Sequence, residues 1–135
     1  MILLLNLDKV EMKKKFELEY PMNSMPSLLY SRLSSPGGLS EWFADDVNLR
    51  GSVFTFIWED TEEKARVVQK KENRYIRFRW LDCTDECYFE FRIKQDELTG
   101  DVALIIIDYA EEDDRNDAIV LWDTQVSKLR HAIGL

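Results

Sequence analysis

The sequence has very few of the residues that build catalytic and metal sites. Its 135 residues include one histidine, His131, and two cysteines, Cys83 and Cys87. A lone histidine without a patterned serine or cysteine nucleophile does not make a catalytic constellation. Two thiols and one distant imidazole fall short of the three or four ligands that zinc usually takes. We therefore assign no catalytic residue, metal or cofactor, and expect both cysteines to be reduced, with Cys87 in the core.

Basic runs and phosphate-binding loops are scarce as well. The chain has 18 Lys and Arg residues against 26 Asp and Glu residues, a formal net charge of −8. Its basic runs, Lys13–Lys15 and Lys70–Lys71, are short. A negative surface repels nucleic-acid backbones and anionic membranes. Pro36-Gly37-Gly38 lacks the lysine and hydroxyl residues of a phosphate loop. The sequence therefore predicts neither a nucleic-acid partner nor a membrane partner.

The apolar run Ile2–Leu7 does not have the features of a targeting segment. It is too short to span a bilayer, and it lacks a preceding basic stretch and a small-residue cleavage site. Two interpretations of this run remain. It is either an extra edge strand or an extension upstream of a natural start at Met12. The extension fits better because regular patterning begins at Phe16. We expect residues 1–12 to be an N-terminal extension, of which residues 1–11 are dispensable for the fold, residues 13–135 to be one domain, and the location to be the cytoplasm.

The first third of the chain predicts one strand and two short helices. Phe16, Leu18 and Tyr20 alternate with glutamates, which is typical of a strand with one buried face. Ser24 is a candidate cap for a helix with Pro26 in its first turn. The segment from Ser35 to Gly38 breaks that helix, and a second short helix is expected to carry the apolar residues Leu39, Trp42 and Phe43.

The remainder predicts an antiparallel meander and one closing helix. From Asp46 onward, short alternating strands are separated by short turns, which favours pairing between consecutive strands. Val102–Ile107 is apolar on both faces, as expected for a central strand. Glu111–Asp114 places negative charge at the start of the last helix, where the helix dipole favours it. Helical spacing is kept by Ile119, Trp122, Val126, Leu129 and Ile133.

Two segments resemble the START-like, or helix-grip, superfamily, in particular its small members related to heat-shock ATPase activators. Pro26–Phe43 resembles the family's element of a helix, a small-residue proline turn and a short helix ending in tryptophan. Trp122 and Leu129 resemble its C-terminal helix. The resemblance implies an α+β fold: a curved antiparallel sheet of about seven strands wrapped around a long C-terminal helix, with two short helices between the first two strands. It carries over no catalytic residue.

The aromatic residues are the candidate site. They either line an apolar cavity between the sheet and the last helix or fill that space, since protein interiors are dense. In the resembled family the short helices close one end, so Trp42 and Phe43 are expected at the entrance. The full set of candidate ligand-binding residues is Trp42, Phe43, Phe54, Phe56, Trp58, Phe78, Trp80, Phe89, Phe91, Tyr109, Trp122 and Val126.

Two functions of different classes follow. The first is binding of a small hydrophobic molecule between the sheet and the helix. The alternative is a protein-interaction, co-chaperone-like domain that uses its acidic surface to hold a protein partner. An enzyme ranks third, because no buried acid–base pair is assignable from the residues. The carboxylate runs are expected to be solvated or to cap helix dipoles. The sequence leaves open whether the protein is a monomer or a homodimer.

Overall fold

The computed structural model describes residues 13–83 and 86–135, so the expectations for residues 1–12 lie outside the described residues. These residues form one seven-stranded antiparallel sheet, three α-helices and a 3-10 turn. The strands are β1 Lys14–Pro21, β2 Asp46–Arg50, β3 Val53–Trp58, β4 Thr61–Lys71, β5 Tyr75–Trp80, β6 Phe89–Gln95 and β7 Val102–Ala110. The helices are α1 Pro26–Ser34, α2 Pro36–Leu39 and α3 Arg115–Ala132, the last preceded by the 3-10 turn Glu112–Asp114.

The strand order is β1-β7-β6-β5-β4-β3-β2. Strands β2 to β7 follow one another as a meander, as the short connections predict. The last strand, β7, then pairs with the first strand, β1. The 18-residue helix α3 closes the chain. Gly134 follows it with a φ of +81°, a left-handed conformation that ends helices and favours glycine. This arrangement confirms the predicted α+β helix-grip fold.

The space between the sheet and α3 is filled by aromatic side chains at its centre. Five phenylalanines from β3, β5 and β6 are at most 2% exposed, and their ring centroids lie 4.8–6.1 Å from those of neighbouring rings. Offset and edge-to-face contacts at such distances add to the gain from burying apolar surface. These side chains are core residues that hold the sheet against the helix: Phe54, Phe56, Phe78, Phe89 and Phe91.

The helical elements differ from the sequence expectation at their ends. Helix α1 has Met25 at its N-cap with no side-chain cap, and the Oγ atom of Ser24 is buried with no hydrogen-bond partner in the described part of the chain. Proline at N1 compensates, because it lacks the N–H that a cap would satisfy. The Ser35–Gly38 segment does end α1, and Pro36 at once begins α2, with Ser35 Oγ accepting from the Gly38 N–H at 3.0 Å.

Gly38 is the point where α2 lies closest to α1. A Cβ atom on Gly38 would lie 2.3 Å from the Ser31 carbonyl oxygen and 2.6 Å from the Arg32 Cα, and both are backbone atoms, which move aside less readily than the end of a flexible side chain. We predict that Gly38→Ala lowers the free energy of unfolding by about 1–3 kcal/mol, as overpacking does. Gly37→Ala is the matched control, since nothing lies within 4 Å of its Cβ position. Equal denaturant midpoints for the two variants would contradict the close approach.

The outer face of the sheet carries an ion-pair cluster around Glu90, which is only 1% exposed. Its two carboxylate oxygens accept from Arg77 Nε at 2.7 Å and Arg92 Nε at 2.9 Å. The Arg77 guanidinium lies over the Tyr88 ring, 3.9 Å from its centroid. Tyr88 in turn contacts Tyr109 edge to face. Charge pairing and cation–π contact explain how a carboxylate is buried outside the apolar core.

Candidate functional site: a tryptophan-lined cleft beside the C-terminal helix

An open cleft of about 410 Å³ lies between the first half of α3 and one end of the sheet. Its volume falls in the range of small-molecule sites, and its lining combines aromatic rings with a few polar groups. Larger grooves of about 650 and 560 Å³ lie elsewhere on the surface and are lined mostly by polar residues such as Glu72, Asn73 and Lys94. The cleft is lined by Phe43, Trp58, Thr61, Glu63, Trp80, Asp108, Ala118, Leu121, Trp122 and Gln125.

Helix α3 supplies one wall of the cleft. Ala118, Leu121, Trp122 and Gln125 are spaced i, i+3, i+4 and i+7, so they share one face of the helix. Trp122 and Gln125 turn inward and are 7% and 9% exposed, whereas Leu121 stands at the rim and is 59% exposed. The cleft-lining face of α3 is therefore buried at Trp122 and Gln125 and exposed at Leu121, and the cleft is open to solvent at Leu121.

The sheet supplies the opposite wall from residues that point toward α3. Trp58 and Thr61 are directly paired across β3 and β4, and Trp80 pairs with the buried Ala65 across β4 and β5. Directly paired residues of antiparallel strands share a face. Trp58 and Trp80 are only partly buried, so part of each indole faces the cleft. The wall is thus made by strand ends beyond the phenylalanine core.

The main-chain carbonyl of Phe43 holds the floor of the cleft together. It accepts from Trp58 Nε1 at 2.9 Å and from Gln125 Nε2 at 3.2 Å. One carbonyl oxygen has two lone pairs, so both donors are satisfied at once. These bonds join the segment after α2, the sheet and α3, and they fix the orientation of the Trp58 indole and the Gln125 amide.

Asp108 is the carboxylate at the inner end of the cleft. Its oxygens accept from Trp122 Nε1 at 2.9 Å and from the Tyr109 main-chain N–H at 2.8 Å. Burial raises the pKa of Asp108, because a desolvated carboxylate is costly to ionise. The two hydrogen bonds and the charge of Lys13 act in the opposite direction, and the net shift of the pKa is upward.

That shift predicts how stability depends on pH. A carboxyl whose pKa is higher in the folded chain than in the unfolded chain stabilises the fold fully below the unfolded value, about 3.9 for aspartate. The contribution is lost as pH rises through the folded pKa of Asp108. We therefore expect the unfolding free energy of the wild type, minus that of Asp108→Asn, to fall with pH in this window. The slope is at most about 1.4 kcal/mol per pH unit. Denaturant unfolding from pH 3.5 to 8 measures it, and a difference that rises with pH would contradict the assignment.

The structure brings four of the candidate residues together around the cleft: Phe43, Trp58, Trp80 and Trp122. The five phenylalanines of the strands pack in the core beneath it, and Val126, 1% exposed, packs there from α3. Tyr109 lies on the other face of the sheet, against Tyr88. Because Val102–Ile107 is apolar on both faces, the pattern does not show which face Tyr109 occupies.

Trp42 and Cys87 also differ from their expected positions. Trp42 is 3% exposed and donates its indole N–H to the Arg32 carbonyl oxygen at 2.8 Å, so it joins α1 to the core and does not line the cleft. The short helix ends at Leu39, and the turn that follows directs Trp42 inward. Cys87 precedes β6 and is only partly buried, because the strand begins at Phe89.

Sequence reasoning missed the polar lining residues Asp108, Glu63 and Gln125. A sequence signal was present only for Glu63, which keeps the alternation of Ala65 and Val67 on β4. Asp108 points inward in the structure, where it pairs with the buried Phe16. Glu63 pairs with the buried Phe56. A charged residue in the inward phase of a strand is costly unless something compensates it, so it marks a candidate site.

The fold and the cleft define a helix-grip domain with an open apolar site beside its closing helix. Comparison with known families assigns the chain to one of them. Residues 10–135 match the model of the START-like superfamily domain, and the chain belongs to that family. The predicted resemblance is confirmed. No curated protein matches the sequence.

Solved structures agree with this assignment. The chain is similar to the Bacteroides fragilis protein BfR322, solved by solution NMR, with 42% identity over 92% of this chain and 93% of that one and a TM-score of 0.67. The Aha1 dimer from Colwellia psychrerythraea is 15% identical over 88% of this chain and 95% of that one, with a TM-score of 0.74. MLL2253 from Mesorhizobium loti is also 15% identical, over 90% and 97%, with the same TM-score. The last two show the fold alone.

Residues 13–83 and 86–135 contain neither a membrane-spanning helix nor a cluster of metal-ligating side chains. No helix in these ranges is both long enough and apolar enough to cross a membrane. No group of three or more histidine, cysteine, aspartate or glutamate side chains is arranged there to hold a metal ion.

Proposed function

We propose that the protein binds a small hydrophobic molecule in the cleft between α3 and the sheet. The observation that carries this proposal is the lining itself: three tryptophans and a phenylalanine around about 410 Å³ of open space. Elsewhere between the sheet and the helix, aromatic rings are in contact with each other. Trp58 and Trp80 are partly exposed and offer a large apolar area to a ligand, and the indole N–H of Trp58 is already donated to the Phe43 carbonyl oxygen.

The polar groups at the edges of the cleft support a site of defined orientation. The Trp58 indole and the Gln125 amide are held by the Phe43 carbonyl oxygen, so they do not need to be ordered when a molecule binds. A preorganised site loses less conformational entropy on binding. Thr61 adds a hydroxyl group at the rim. Apolar walls supply the affinity in this proposal, and these few polar groups supply the orientation.

Two neighbouring residues of α3 provide the test. Leu121 lines the cleft, whereas Val120 is similarly exposed and does not line it. We expect 1-octanol, a neutral apolar probe, to change the tryptophan fluorescence of the wild type with a saturable dependence on its concentration. Leu121→Ala should weaken this binding several-fold, since it removes apolar contact area, and Val120→Ala should leave it unchanged. Absence of saturable binding, or equal effects of the two variants, would contradict the proposal.

A protein-interaction domain remains the second candidate, and one observation favours it. Val120 and Leu121 are adjacent on α3 and are 63% and 59% exposed, so two large apolar side chains are open to contact with a partner. Self-association through this face is the simplest form of the proposal. Sedimentation at rising protein concentration would show a dimer that Val120→Asp dissociates. A monomer over the whole concentration range would exclude that form.

A further inference from the structure

The cleft combines aromatic rings with carboxylates that point inward. Asp108 and Glu63 come from strand positions paired with the buried residues Phe16 and Phe56, so both lie on the sheet face that is turned toward α3. They stand on β7 and β4, on either side of Trp80 in the strand order. Burial of a carboxylate is costly. Acidic residues are therefore uncommon at strand positions that face the core, unless another group compensates their charge.

Asp108 is held in a fixed orientation. Trp122 Nε1 and the Tyr109 N–H each donate to a different oxygen of its carboxylate, at 2.9 and 2.8 Å. A carboxylate oxygen accepts more than one hydrogen bond, so both oxygens keep acceptor capacity after these contacts. Desolvation opposes the ionised form of this group. A positive charge placed in the cleft would offset that penalty.

The aromatic rings favour the same charge. Trp58 and Trp80 keep part of their indoles exposed in the cleft, above the buried and stacked rings of Trp122 and Phe43, and tryptophan is the side chain whose ring face attracts cations most strongly. Sites that surround an ammonium group with aromatic rings bind it through this attraction, which is stronger where water is excluded. The net charge of −8 adds a long-range field that attracts cations and repels anions.

We propose that the molecule bound in the cleft is an organic cation, an amine or quaternary ammonium group carried on an apolar body. The cationic group lies near Asp108 among the indole rings, and the apolar body extends toward Leu121 at the rim. This inference rests on the proposed function and names the chemical class of its ligand. A fatty-acid carboxylate or a phosphate would face two like charges, and a neutral molecule would add no charge to the two hydrogen bonds and the nearby Lys13 that already act on Asp108.

Three probes with the same apolar chain separate charge from hydrophobic contact: octyltrimethylammonium, 1-octanol and octanoate. Calorimetric titration of the full chain should give octyltrimethylammonium an affinity on the order of tenfold above that of 1-octanol. Octanoate should bind more weakly than either. Asp108→Asn should remove most of the preference for the cation, measured as the ratio of the octyltrimethylammonium and 1-octanol affinities of the same variant.

Glu63 and Glu62 give a second, matched pair of variants. They are neighbours on β4, both exposed, but Glu63 lines the cleft and Glu62 points to the opposite face. Glu63→Gln should lower the affinity for octyltrimethylammonium about two- to threefold, as expected for a solvent-screened charge, and Glu62→Gln should not change it. Both positions are on the surface, so folding of these variants is not at risk.

The outcomes distinguish the two proposals. Equal binding of octyltrimethylammonium and 1-octanol, or an unchanged ratio of their affinities in Asp108→Asn, would overturn the organic cation while leaving a hydrophobic site in place. If none of the three probes binds, the proposed function fails and the cation fails with it. Preference for octanoate would also overturn the cation, because it would require a positively charged site.

Discussion

Replacing Trp122 with alanine is expected to lower the free energy of unfolding by about 3–5 kcal/mol, the usual loss for a buried aromatic side chain. Trp122 is 7% exposed, and its ring contacts Phe43 and Phe91 at centroid distances of 5.9 and 5.8 Å. The substitution also removes the hydrogen bond to Asp108. Since domains are stable by only about 5–15 kcal/mol, the loss is a large share of the total.

Two variants on the same helix sharpen this prediction. Val120→Ala changes an exposed side chain and should shift the unfolding free energy by less than about 0.5 kcal/mol. Trp122→Phe keeps much of the packing and loses the bond to Asp108, so it should fall between alanine and the wild type. Urea unfolding followed by circular dichroism measures all three. If Trp122→Ala costs no more than Val120→Ala, α3 does not pack on the sheet as described.

Phe43→Ala is the second substitution with a large expected effect, again about 3–5 kcal/mol. Phe43 is 4% exposed and lies at the junction of the core and the cleft. Its ring centroid is 4.9–5.9 Å from those of six other aromatic residues: Trp42, Phe56, Trp58, Phe89, Phe91 and Trp122. Removing the ring leaves a cavity that this packed neighbourhood cannot fully close.

The comparison variant for this position is Phe43→Leu, which retains apolar volume and should cost less than half as much. Because Phe43 and Trp122 stack on each other, their alanine variants should not be additive. The double variant is expected to lose less than the sum of the two single losses, as determined by denaturant unfolding of all four proteins in the cycle. Strict additivity would show that the two rings do not interact.

Much of the fold can be predicted from local sequence patterns, namely strand alternation, helical spacing and short turns. The alternation of Phe16, Leu18 and Tyr20 places β1, and the helical spacing around Trp122 places α3 with its buried face. Short turns between strands leave little choice besides an antiparallel meander. These features are local, so a single sequence is sufficient to predict them.

The site was less predictable because it depends on how side chains share space. Alternation identifies Phe54 and Trp58 equally as inward residues, but only the three-dimensional packing shows that Phe54 is core while Trp58 is partly open to the cleft. Trp42 turns into the core through a turn that no periodicity describes. Asp108 stands at the end of a strand that is apolar on both faces, so the pattern does not show that it points inward.

The most direct test of the cleft uses the four indole N–H groups as reporters. In a ¹⁵N-labelled protein, Trp58, Trp80 and Trp122 report on the cleft, and Trp42, bonded to Arg32 within the core, is the internal control. Titration with 1-octanol should shift the first three indole resonances in a saturable manner and leave that of Trp42 nearly unchanged. Three unshifted cleft resonances, or a shift confined to Trp42, would contradict a binding site in this cleft.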